Sequence, residues 1–130
     1  RAHSCTAPAD LAGCDAIGTV RVGAIALSSS TCVVDLRVRT GDVGRILRCP
    51  SGVAVVFDRV TYGGTYDGTR LDACVTTQFP FDDGCTWQST QRLHGARDNL
   101  RIDYAERPIS GRACASSACT ATAALEALTP

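Results

Sequence analysis

Between residues 99 and 106 the chain reads Asn-Leu-Arg-Ile-Asp-Tyr-Ala-Glu, with Leu100, Ile102 and Tyr104 alternating against Arg101 and Asp103. A period of two is that of a β-strand with one buried and one wet face. The same texture begins at Thr19. Apolar and β-branched runs over 19–27, 53–60, 85–93 and 99–106 are separated by Gly, Asp and Pro clusters at spacings of about ten residues. Residues 5–17 differ: they are rich in Ala, Pro and Asp, with Pro8 and Gly13 breaking any helix that starts at Asp10. The expected organisation is a looped N-terminal arm over 1–18, packed on a single β domain over 19–130. At the other end, Thr120 to Leu128 mixes helix-favouring Ala and Leu with alternating Thr, and reads as a strand. The fold class expected is all-β: an antiparallel up-and-down barrel or two-sheet sandwich of about eight short strands, stapled by disulfides.

Two hairpins are legible. Asp67-Gly68 readily takes the two left-handed positions of a type I′ turn. Counting outward from it sets Ala73 opposite Tyr62, Val75 opposite Val60 and Phe79 opposite Val56, with Cys74, Thr76 and Gln78 on the other face. Gly63 and Gly64 inside the first of these strands predict a bulge or bend. A second hairpin is expected around Thr40-Gly41, with 32–38 running up and 43–49 running back. That register places Cys32 opposite Cys49 at a site where cross-strand side chains approach closely.

Composition narrows the setting. At 130 residues the chain fits one core. Its eight cysteines are an even count, as in a disulfide framework assembled in an oxidising compartment. Pairing by proximity gives Cys5–Cys14, Cys32–Cys49, Cys74–Cys85 and Cys114–Cys119. The first residues carry neither an initiator Met nor an apolar run, as in a chain whose signal peptide has been removed. A secreted, extracellular or periplasmic location is expected, with no transmembrane segment. The thirteen basic residues are all Arg, a bias that GC-rich coding produces, and they balance thirteen acidic ones without a long run of either sign. No nucleic-acid partner is implied.

Chemistry is sparse. A zinc or redox reading wants Cys-x-x-Cys or paired His at short spacing, and neither occurs, so no metal or cofactor is expected. The histidines are His3, in the arm, and His94, beside Gly95 at an expected turn; no nucleophile elbow accompanies them. Glu106, Asp103, Asp72 and Asp58 are the carboxylates whose convergence would suit glycoside cleavage, but their spacing does not favour it. The expectation is that the protein is not an enzyme.

Tyr62, Tyr66, Trp87 and Tyr104 are the candidates to line a small-ligand cavity; as alternatives they simply fill the core. The segment Gly64-Thr65-Tyr66-Asp67-Gly68-Thr69 resembles a turn of avidin-type and lipocalin-like barrels, which implies a ligand-binding barrel. The second half, from Tyr62 to the Cys119 loop, resembles small cysteine-rich exported proteins of GC-rich bacteria, which implies a location and no activity. The first functional expectation is a secreted, non-enzymatic structural or adhesive subunit that self-associates or meets another extracellular protein, possessing strands to add or an arm to dock. A barrel for a small hydrophobic ligand comes second and a protease-inhibitor-like module third.

Overall fold

The computed structural model describes residues 5–8, 10–27, 36–80, 85–110 and 119–128, except the side chains of Phe79 and Ser110. Eight strands follow one another: β1 (Asp15–Leu27), β2 (Val43–Cys49), β3 (Gly52–Val56), β4 (Thr61–Tyr66), β5 (Arg70–Pro80), β6 (Thr86–Ala96), β7 (Asn99–Ser110) and β8 (Cys119–Leu128). Each pairs with its sequence neighbour, and β8 returns to β1, closing an antiparallel up-and-down barrel. Of the two architectures expected, the barrel is the one formed. The C-terminal segment is a strand, and it supplies the closing seam, where Val22 faces Leu125 and Ile25 faces Ala123. β1 starts at Asp15, ahead of the expected Thr19.

Alternation decides which side chains enter. On β7 and β8, Leu100 faces Leu125 and Ile102 faces Ala123; all four are buried, while Arg101 and Ala124 point out. Across the inside, aliphatic rows such as Leu71–Gly95–Leu100–Leu125 and Ala73–Leu93–Ile102–Ala123 stack along the barrel axis. Within the core, Phe57 and Tyr62 pack edge to face with centroids 6.0 Å apart. Gly44 makes room for Phe57, since a Cβ there would lie 2.6 Å from its ring.

Several expectations are corrected. The β4–β5 turn is centred on Gly68-Thr69, one residue later than expected. Gly68 has φ +102° and, among the described residues, no non-glycine residue has positive φ, Thr69 included, which is the type II′ pattern and not I′. The Asp67 carboxylate selects it by accepting hydrogen bonds from Thr69 N (2.9 Å), Thr69 Oγ1 (3.0 Å) and Arg70 N (2.7 Å). Ala73 therefore faces Gly64 and not Tyr62. The slip is two residues, so every side chain keeps its expected face. The run 53–60 does not continue into β4. Phe57 N donates to Val60 O at 2.9 Å, folding Asp58-Arg59 into a turn, so Val56 faces Thr61 and Phe79 faces Trp87.

The partner of β2 is β1, with Thr19 opposite Arg45 and Val20 opposite Gly44. A turn does form at Thr40-Gly41, closed by Asp42 N to Arg39 O at 3.0 Å, but residues 36–40 are not a strand. Their backbone and side chains lean on β1 instead: Gly41 N donates to Val22 O and Thr40 Oγ1 to Gly23 O. Residues 32–35 of the expected up-strand lie outside the described residues.

The cysteine pairing also differs. Cys5 is bonded to Cys74 and Cys14 to Cys49, so Cys5–Cys14, Cys32–Cys49 and Cys74–Cys85 do not form. Proximity along the chain fails because the N-terminal arm folds back across the outside of the barrel and meets cysteines far away in sequence. Cys85 and Cys119 are disulfide-bonded as well; the expected Cys114–Cys119 pair involves Cys114, outside the described residues. Disulfides of this kind fit an oxidising environment.

Candidate functional site

Below the aliphatic rows the barrel interior turns polar. Val75, Gln91, Tyr104 and Ala121 form one cross-strand row, and Thr77, Ser89, Glu106 and Cys119 the next. Among the described residues, Ser89, Gln91 and Glu106 are the buried polar side chains, at 0%, 1% and 2% exposure. Burial of such groups is tolerated when they are hydrogen-bonded. Tyr62 Oη donates to Gln91 Oε1 at 2.7 Å, Tyr104 Oη to Glu106 Oε1 at 2.7 Å, and Thr77 Oγ1 and Ser89 Oγ share a hydrogen bond of 2.7 Å. Burial pushes the Tyr62 phenol far above its ordinary range, so it remains a neutral donor.

Of the four aromatic candidates, the structure brings Tyr62, Trp87 and Tyr104 inside, each at 3% exposure or less. Tyr66 stands apart at the β4–β5 turn, where its hydroxyl donates to Gly68 O at 2.8 Å and its ring lies 5.4 Å from the Arg48 guanidinium. Gln91 and Ser89 escape the sequence reading, which marks Glu106 only as one of four carboxylates and not as an inward residue. Their signal was parity, because Glu106 continues the inward series Leu100, Ile102, Tyr104.

The same parity disperses the carboxylates. Glu106 points inward, whereas Asp103 and Asp72 belong to the outer face and Asp58 is exposed in the β3–β4 turn. On that outer face Arg92 holds Asp72 through two hydrogen bonds of 2.9 and 3.0 Å. His94 lies within β6 and not at a turn, with Nε2 2.6 Å from Asp103 Oδ2, while Arg101 grips Oδ1 of the same carboxylate at 2.7 and 3.1 Å. Partial burial pushes Asp103 up, but the bonds from His94 and Arg101 outweigh it and hold the carboxyl below its usual range. Among the described residues no three His, Cys, Asp or Glu side chains gather as a metal-ligand set.

The outward band formed by Asp72, Gln78, Gln88, Arg92, Arg101 and Asp103 is charged and polar where a membrane-spanning barrel carries apolar side chains. The chain is thus a closed eight-stranded antiparallel barrel, cross-linked by disulfides, whose inward positions include both apolar and hydrogen-bonded polar side chains. Comparison with family models, with curated proteins and with solved structures finds no match.

Proposed function

We propose that the protein is a secreted, non-enzymatic structural or interaction module that works through its outside, joining copies of itself or another extracellular protein. The observation that carries this reading is the state of the interior. Tyr62, Tyr104 and Trp87, the side chains suited to line a cavity, are buried among barrel neighbours, and the two tyrosines hydrogen-bond to other wall residues. A rigid, cross-linked barrel without an open hydrogen-bonding edge between β1 and β8 is suited to face-to-face contact rather than to strand addition. Burial of two disulfide-anchored arm positions against the barrel adds resistance to proteolysis outside the cell.

Size-exclusion chromatography across a concentration series, followed by negative-stain microscopy, tests this reading. Regular oligomers, or a stable complex with an extracellular protein, are expected; a monomer that engages nothing under any condition counts against it. The second reading, a small-ligand barrel, is favoured by the polar inner rows around Gln91 and Glu106. It requires Trp87 fluorescence to respond to an apolar or aromatic small molecule.

A further inference from the structure

One outward row breaks the polar pattern of the wall. Leu47 on β2 faces Ala54 on β3, Ala54 faces Gly63 on β4, and Gly63 faces Cys74 on β5. These positions point away from the core, yet Leu47, Ala54 and Cys74 are 5%, 0% and 6% exposed. What covers them is the N-terminal arm. Leu11 and Cys14 pack on Leu47, Cys49 and Ala54, with Val56 alongside. Farther along, the backbone of Thr6 and Ala7 lies on Gly63 so closely that a Cβ there would sit 2.4 Å from Ala7 N. The row is small where the arm's backbone must approach and apolar where its leucine sits.

The arm is covalently fixed at both ends of this track. Cys14–Cys49 pins its base beside β1, where Asp15 faces Arg48, and Cys5–Cys74 pins its tip on β5. Among the described residues up to Cys14, none belongs to the inner core built on Tyr62, Leu71, Leu93 and Leu100. We infer that the row Leu47–Ala54–Gly63–Cys74 is a docking track for an extended segment, that the N-terminal arm, described over 5–8 and 10–14, is its resident occupant, and that Cys5–Cys74 is the lock. Opening the lock takes a dithiol as reductant: the Cys5–Cys74 S–S bond accepts two electrons and two protons to give two thiols, and the dithiol closes to its own disulfide. The freed tip then lifts from Gly63 while Cys14–Cys49 keeps the base over Leu47 and Ala54, leaving the barrel closed and the Gly63–Cys74 end of the track open.

The test uses the full chain carrying Cys5→Ser and Cys74→Ser, with Cys14–Cys49 intact. An elastase-type protease, which cuts after alanine, should cleave the arm about tenfold faster or more than in the wild type, because cleavage follows the population of the open form. Far-UV circular dichroism should remain that of the wild-type barrel. A synthetic peptide of residues 5–14 with serine in place of both cysteines should bind the variant and not the locked wild type. An arm as protected in the variant as in the wild type, or a peptide that binds neither, overturns the proposal. Should the variant fail to fold, the wild type is treated with limiting dithiol and its thiols are alkylated. Labelling of Cys5 and Cys74 while the amides of β6–β8 remain protected from hydrogen exchange supports the lock; loss of that protection together with the labelling refutes it.

Discussion

Gly44→Ala probes whether the barrel is full. The added Cβ would lie 2.6, 2.7 and 2.9 Å from three atoms of the Phe57 ring. Phe57 has no easy retreat, being 4% exposed and set edge-on against Tyr62. Ordinary carbon contacts are about 3.5–4.0 Å, so the ring or the β2 backbone must move by most of an ångström. Overpacking of this kind costs about 1–3 kcal/mol. A domain of this length loses about 3–6 °C of Tm per kcal/mol, so thermal unfolding without reductant should show a drop of about 3–18 °C. In a Phe57→Leu background the same alanine meets a smaller neighbour, and its cost should fall below about 0.5 kcal/mol, a coupling that a double-mutant cycle reads directly. If Gly44→Ala is neutral in the wild-type background, the ring has space beside it and the filled interior is refuted.

Alkali, acid and a surface charge offer three more checks. Burial raises the Tyr62 phenol above its ordinary value of 10.0, so its contribution is complete below pH 10 and is lost as pH rises through the folded value; absorbance near 295 nm should show Tyr62 ionising only as the barrel unfolds. The backbone bond from Arg70, followed by those from Thr69, lowers the Asp67 carboxyl below its ordinary 3.8. Its contribution is therefore present above that value and lost as pH falls through the folded one; urea midpoints measured in acid should decline less steeply for Asp67→Asn than for the wild type. Asp103→Asn removes a partner of His94 and Arg101, but the carboxylate is 40% exposed, so screening limits the loss to less than about 1 kcal/mol in urea unfolding.

The fold was legible where the sequence speaks locally. Alternation over 99–106 placed β7 and its inward face, and Asp67-Gly68 marked a hairpin whose register slipped by two residues when the Asp67 carboxylate chose the later turn. Because two is the side-chain period, the slip did not disturb the core. What could not be read depends on distant chain meeting chain. The return of β1 to both β2 and β8 leaves no mark within either segment, so the nearest apolar run was paired with β2 instead. The disulfides show the same limit: Cys5 and Cys74 are separated by 69 positions, and only the passage of the arm over Gly63 brings them together. Glycine inside a strand suggests a bulge, but Gly63 and Gly64 serve close backbone approach, with the register through them unbroken. At the candidate site, the aromatics were found by residue type, whereas Gln91 and Glu106 required carrying the inward parity past the last apolar residue.

Native mass spectrometry of the protein collected from the medium of an exporting host, without denaturation or reduction, weighs the account most directly. A filled barrel that acts through its outer wall should appear as an oligomer or a protein complex whose mass is that of its polypeptides alone. A monomer carrying a small molecule, released only when the barrel is unfolded, would contradict it.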